Sequence, residues 1–348
     1  MALATAGALL GAATLVLDLG NRLFGSYRRT VAGFTWRLGA VLGSVGLLLA
    51  PAGALALEPG STVWRVLSGA AGVVGAVAFV HFLLPYRWGI RRVRRDGVQE
   101  SCRELTPGIL LREVSLRIPS LPAGLDGLEV LVISDVHCRS RRKLGLLREC
   151  CAALRPRGAD LVLLLGDFGG KSELLAETIE LLAAIPARLG TFCVLGNHDL
   201  EGAREATIRD LLGRHAVHVL PNAWARFPDR GLALVGLETP WRQPPPAPCE
   251  ARLFAVGLAH TPDNLALLER LNVGLAVAGH THGGRARLPV VGPVLVPTLY
   301  GRFLDRGLFR RGRTLLYVSA GLGYFCPSPR NRGELTRLVL RRAEGAPA

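Results

Sequence analysis

The sequence predicts an α/β domain behind an apolar helical region, on three observations. Short apolar runs alternate with stretches of helical periodicity from residue 96 onward, the pattern of strands and helices in one layered domain. Several of those runs end on Asp, Asn or His. The apolar excess of the 348-residue chain, 49% hydrophobic at mean hydropathy +0.31, is concentrated at its front and is too large for a wholly soluble enzyme.

Taken in order, residues 2–17, 38–57 and 66–84 form three apolar stretches, each close to the roughly 20 residues that span about 30 Å of hydrocarbon. Asp18 closes the first early, and no basic residue precedes it, so it does not read as a cleaved signal peptide. All three are apolar on every face and rich in Gly and Ala, which favours membrane spans over the alternative of three buried core helices of a soluble domain. Arg22, Arg28, Arg29 and Arg37 lie between the first and second stretches, Arg65 alone between the second and third, and Arg87, Arg91, Arg92, Arg94 and Arg95 beyond the third. Basic loops stay on the cytoplasmic side, so a multi-pass membrane protein with a cytoplasmic catalytic domain is expected. A second reading takes "SYRRTVAGF" as an internal twin-arginine export signal with "ALA" as its cleavage site, which would export the domain but ignores the third stretch.

A net charge of +15, mostly arginine, favours anionic partners such as lipid headgroups or phosphorylated substrates. No basic motif interleaved with aromatics is present, so nucleic acid is not an expected partner. The seven cysteines are odd in number and contain no C-x-x-C pair, which argues against a disulfide framework or zinc ribbon and favours a reducing compartment.

Beyond residue 96, "LEVLVISD", "ADLVLLLGD", "GTFCVLGN", "LALVGLE", "RLFAVGLAH", "VGLAVAGH" and "TLLYVSAG" read as buried strands, and 144–154, 173–184, 203–212 and 263–271 as helices. "RIPSLPAGLDG" leads into the first of these strands, and the proline-rich "TPWRQPPPAPCEA" reads as a loop. The strand ends carry Asp135 and His137, then Asp167, then Asn197, His198 and Asp199, then His260, and finally His280 and His282 in "GHTHGG". Ligands of open α/β sheets gather outside the carboxyl ends of strands, so these ends can converge on one crevice. His81 falls in the third apolar stretch, and His215 and His218 read as surface-turn residues.

Mixed carboxylate, imidazole and amide donors suit divalent Mn, Fe, Zn or Co. Two such ions need a carboxylate to bridge them, for which Asp167 is the candidate, and together they can clamp a phosphoryl group and activate a shared water. In-line attack by that hydroxide needs an acid at the leaving oxygen, for which His198, oriented by Asp199, is the candidate. Gly279, Gly283 and Gly284 would let His280 and His282 diverge to separate ions.

The series D-x-H, GD, GNHD, H and GHTHGG resembles the calcineurin-like metallophosphoesterase superfamily over residues 124–341. "LDGLEVLVISDVH" and "YGRFLDRGLFRRGRTLLYVSAGLG", with Pro327, Arg330 and Glu334 after it, resemble the branch of membrane-attached bacterial phosphoesterases that has an animal transmembrane relative. The resemblance implies a four-layer αββα sandwich, with Asp135, His137 and His282 on one metal, Asn197, His260 and His280 on the other, and Asp167 shared. It divides the chain into a transmembrane helical region (1–95), a linker and entry strand (96–124), the phosphoesterase domain (125–342) and a tail (343–348). "GDFGGK" departs from the family in lacking an acidic residue soon after the bridging Asp, as does Cys138 in following the first His, which touches fine specificity rather than metal binding. The implied substrate is an anionic phosphodiester or pyrophosphate, lipid-linked esters included, and the cations of "RSRRK" could meet a headgroup or simply be solvated. A different class of function, a membrane scaffold or transporter-like protein with a silent phosphoesterase domain, finds no paired charges within the apolar stretches.

Overall fold

The computed structural model describes residues 89–93, 98–169, 172–201, 204–242, 246–248, 252–284, 287–288, 292–323 and 332–343. The three apolar stretches lie outside the described residues, among which no helix is long and apolar enough to cross a membrane.

The elements in chain order are β1 (Arg91–Arg92), β2 (Val98–Thr106), β3 (Ile109–Ile118), β4 (Glu129–Ile133), α1 (Arg141–Leu154), β5 (Leu161–Leu164), α2 (Ser172–Ala183), β6 (Thr191–Cys193), α3 (Arg204–Arg214), β7 (Val217–Val219), β8 (Ala223–Phe227), β9 (Leu232–Leu237), β10 (Phe254–Ala259), α4 (Leu265–Arg270), β11 (Leu275–Ala278), β12 (Arg287–Leu288), β13 (Gly292–Pro293), β14 (Gly307–Arg311), β15 (Thr314–Val318) and β16 (Gly333–Arg342). The chain divides into two compact units, and Gly89–Gly283 with Asp305–Ala348 form the one that carries the two large sheets. Both sheets are seven-stranded and mixed, in the orders β1-β14-β15-β11-β10-β9-β8 and β2-β3-β16-β4-β5-β6-β7. Residues Gly284–Leu304 fall in the other unit, where β12 and β13 pair antiparallel.

Side-chain alternation explains the layers. Val130 and Val132 of β4 and Leu161 and Leu163 of β5 join Leu232, Leu234, Val256, Leu258, Leu275 and Val277 of the other sheet in one core. The residues between them, Leu131, Ile133, Val162 and Leu164, point the opposite way into a second core with Leu144, Leu147, Ile179, Leu182 and Ile208 of α1, α2 and α3. On the other sheet, Leu268 of α4 presses so closely on Gly257 of β10 that a Cβ there would lie 2.5 Å from it. Strands buried on both faces read as unbroken apolar runs, and each fully buried Leu or Val contributes about 1.5–3 kcal/mol.

The seven strands and four helices expected from the sequence are all present in their places, with shifted ends. Helix α1 starts at Arg141, ahead of its apolar stripe, because the Ser140 hydroxyl caps it by accepting from Lys143 N at 3.3 Å. Thr261 and Pro262 turn the start of the fourth expected helix into a separate 3₁₀ turn, Pro262–Asn264. Strands β1, β7, β8, β12, β13, β14 and β16 were not legible, nor was it legible that the stretch with the expected entry strand holds two strands, β2 and β3. Of these, β2 and β3 pair antiparallel within the stretch read as a linker and entry strand, and β16 inserts between β3 and β4, parallel to one and antiparallel to the other. His218 lies on β7 and stacks on Phe192 at 5.2 Å, rather than on a turn.

Candidate metal centre

Strands β4, β5 and β6 of one sheet and β9, β10 and β11 of the other run out at the same end, and hydrogen bonds join the loops that follow them. Asp135 N and His137 N donate to Gly166 O and Asp167 O at 3.0 and 2.8 Å, continuing the β4–β5 pairing into the loops. His280 N donates to Asp135 Oδ2 at 2.9 Å, and His260 Nδ1 lies 2.6 Å from Leu165 O, each crossing between sheets. Glu238, wholly buried after β9, accepts from Leu195 N at 3.1 Å and from Arg209 Nη2 at 2.6 Å.

This stitching brings together all seven residues expected as ligands. Asp135 Oδ1 lies 3.7 Å from His282 Nε2 and 4.0 Å from His137 Nε2. Asp167 Oδ2 lies 3.4 Å from both His137 Nε2 and His260 Nε2. His260 Nε2 in turn lies 3.1 Å from Asn197 Oδ1 and 3.2 Å from His280 Nδ1. Asp135, Asp167, His137, His260, His280 and His282 are buried.

Asp135 is aimed by its surroundings. Its Oδ2 takes the Ser134 hydroxyl and the His280 N–H, while its Oδ1 is buried and accepts no hydrogen bond from the described residues. Similarly, a neutral His260 donating from Nδ1 to Leu165 O turns its Nε2 lone pair toward Asp167. Five of the eight non-glycine residues with positive φ among the described residues are Asp135, His137, Asp167, His280 and His282. Such conformations are costly for branched or bulky side chains and are held here by the packed loops around them.

The electrostatics are those of a site short of positive charge. Burial pushes the Asp135 carboxyl up to about 6, with Asp167 adding to the shift and His260 opposing it. Burial also acts to raise Asp167, but His260, His137 and His198 outweigh it and hold this carboxyl well below the usual range. His260 would be lowered by burial, yet Asp167 and Asp135 raise it to about 10. Burial lowers His137 to about 4, a neutral imidazole with a lone pair to give. An unsatisfied carboxylate oxygen, oriented imidazoles and a proton gripped between carboxylates fit a divalent cation, whose charge would replace that proton. Among the described residues, three clusters have the compactness of cation sites: Asp135–His137–His282, His137–Asp167–His198 and Asp135–Asp167–His260.

Two expectations need correction. Asp199 does not orient His198: it is completely buried and accepts from the backbone N–H groups of Gly196, Asp167 and Phe168, clamping the loops after β5 and β6 together. The His198 ring instead has Glu201 Oε2 at 3.8 Å from Nδ1 and stands 5.3 Å from the His137 ring, at the open side of the cluster. The second concerns the glycines. Gly283 and Gly284 do take positive φ, at 67° and 83°, but so do His280 and His282 themselves, and Gly279 serves close approach, since a Cβ there would lie 1.8 Å from Ser134 Oγ and 2.4 Å from Asp135 Oδ2.

Residues not singled out in the sequence also belong here. Trp241, in the proline-rich loop, stands 5.7 Å from the His260 ring and 5.9 Å from the His280 ring. Lys143, one of several cations in "RSRRK", donates from Nζ to Gly323 O at 3.3 Å. The sequence marked Lys143 only as one cation of a basic loop, ahead of the helix expected from residue 144, and nothing in it marked Trp241.

Residues 128–284 match the family model described as Calcineurin-like phosphoesterase. The chain is 31% identical to the phosphodiesterase YaeI of Escherichia coli, over 61% of this chain and 82% of that protein. It is 27% identical to the transmembrane protein with metallophosphoesterase domain of Danio rerio, over 66% of this chain and 57% of the longer relative. It is 25% identical to the UDP-2,3-diacylglucosamine pyrophosphatase LpxG of Chlamydia muridarum, over 63% of this chain and 85% of that protein.

Proposed function

The chain belongs to the calcineurin-like phosphoesterases, and on that premise we propose that it is a membrane-anchored phosphohydrolase cleaving phosphodiester or pyrophosphate bonds, lipid-linked ones among them, at a dinuclear metal centre. That it is a metal-dependent phosphoesterase follows from the family and from its phosphodiesterase and pyrophosphatase relatives. The observation that carries the dinuclear reading is the position of Asp167 Oδ2, 3.4 Å from an imidazole nitrogen of each half of the cluster. In this reading Asp135, His137 and His282 would hold one ion and Asn197, His260 and His280 the other, with Asp167 available to both. The donor set suits Mn, Fe, Zn or Co.

Divalent ions in this position clamp phosphoryl oxygens and make water a nucleophile near neutral pH. The chain's own residues do the rest. Ser134 and the His280 N–H keep Asp135 Oδ1 turned inward, and Leu165 O keeps His260 Nε2 turned inward. His198, partly exposed over the cluster with Glu201 near Nδ1, is the general acid for the leaving oxygen. Asp199 holds the loop that carries it.

Membrane anchoring rests on the apolar stretches within residues 1–95, supported by the name of the Danio rerio relative, and the arginine distribution favours a cytoplasmic catalytic domain (125–342) over an exported one. The name of LpxG supports a lipid-linked diphosphate among the substrates. Hydrolysis of bis-p-nitrophenyl phosphate with manganese tests the enzymatic core. Wild type is expected to turn over only with metal, and Asp167→Asn to lose at least about 100-fold; metal-independent turnover, or none with any of the four metals, overturns the reading.

A further inference from the structure

We propose that Lys143, with Arg139 beside it, recognises a second phosphate adjoining the scissile one, so that this centre prefers diphosphate-linked esters to simple phosphodiesters. The proposal rests on the dinuclear phosphohydrolase reading and adds the choice among its substrates.

Lys143 lies in the first turn of α1, directly after the loop bearing Asp135 and His137. Its half-buried side chain ends at the cluster. Nζ donates to Gly323 O at 3.3 Å, and Gly323 packs against three of the site's residues: a Cβ there would lie 2.5 Å from His137 Cδ2, 2.7 Å from Asp135 O and 2.7 Å from His282 Cε1. The ammonium therefore stands one residue's width from the half of the centre assigned to Asp135, His137 and His282. Arg139, exposed on the same loop, acts electrostatically on both His137 and Lys143.

An ammonium has three donors, and the Gly323 carbonyl takes one. Burial lowers the Lys143 amine to about 8, the mark of a cation that has given up hydration for little in return. A lysine serving only to tether Gly323 needs neither its charge nor a cationic neighbour. An anion beside the metal centre needs both, because charge-assisted hydrogen bonds in a partly dry site are the strong ones. With the scissile phosphoryl group at the centre, a diphosphate would present its second phosphate one bridging oxygen away. A simple phosphodiester has nothing to offer there.

The test compares diadenosine diphosphate with bis-p-nitrophenyl phosphate on metal-loaded wild type, Lys143→Met and Lys143→Arg, alongside calorimetric binding of methylenediphosphonate and methylphosphonate. Lys143→Met is expected to lower kcat/KM for the diphosphate roughly 10- to 100-fold, mostly through KM, with a loss on the phosphodiester at least tenfold smaller. Lys143→Arg restores part of the preference, and methylenediphosphonate affinity falls where methylphosphonate affinity does not. If Lys143→Met lowers the melting temperature, Lys143→Gln at matched stability is read instead. Equal losses on both substrates, or wild type that cleaves only the phosphodiester, overturn the proposal and leave the phosphohydrolase reading standing. Wild type inactive on both with every metal overturns that reading first.

Discussion

Replacing Gly323 with alanine adds one methyl group and removes no ligand, yet the geometry expects it to disable the centre. The new Cβ would lie 2.5 Å from His137 Cδ2 and 2.7 Å from both Asp135 O and His282 Cε1. Carbon atoms rest at about 3.5–4.0 Å, so the two imidazoles must retreat by about 1 Å. Overpacking of this kind costs about 1–3 kcal/mol, and a displacement of about 1 Å at reacting groups costs on the order of 100-fold in rate. Gly145 on α1 supplies the control, since a Cβ there meets nothing within 4 Å; Gly145→Ala should gain about 0.5–1 kcal/mol. The assay is kcat/KM on bis-p-nitrophenyl phosphate, with melting temperature and metal content for each variant. Gly323→Ala should lose about two orders of magnitude in rate while remaining folded. Wild-type rate and metal content in that variant would refute the assignment of His137 and His282 to a tightly packed metal site.

Three further outcomes follow. Asp199→Ala removes an acceptor shared by three buried backbone N–H groups, so thermal or urea unfolding should show a loss of about 3 kcal/mol or more; a loss under about 1 kcal/mol would contradict its role as a loop clamp. His198→Ala should lower kcat by roughly 100- to 10,000-fold for a poor leaving group and much less for p-nitrophenolate, which needs no proton; equal losses would exclude a general acid. The ratio of kcat/KM for diadenosine diphosphate to that for bis-p-nitrophenyl phosphate should hold steady below about pH 8 and fall as pH rises through it, because Lys143, lowered to about 8, is cationic only below that point. A ratio that rises or stays flat there would remove Lys143 from phosphate recognition.

What was legible in the sequence follows from how each element is buried. β4, β5, β9, β10 and β11 lie between layers, so their apolar runs stand out, and the polar residues that end them mark the site. β2 and β16 were not legible for the opposite reason. β2, "VQESCRELT", is mostly exposed, and the arginines and Glu334 of β16 interrupt its apolar pattern, so neither looks like a strand without its partners. Pairing within the site was out of reach as well. His198 and Asp199 are adjacent in the chain, but the loop sends one side chain over the cluster and folds the other back onto the backbone of two strand ends. In "RSRRK" the cations look alike, and only the capped first turn of α1 directs Lys143 to Gly323.

The most direct measurement of the central claim is elemental analysis of the purified chain after reconstitution with Mn, Fe, Zn or Co, beside Asp167→Asn treated identically. Wild type should retain two ions per chain, as a bridged pair requires, and Asp167→Asn one or none. A wild type holding no ion under any of these conditions, or an Asp167→Asn chain holding two as firmly as wild type, would contradict it.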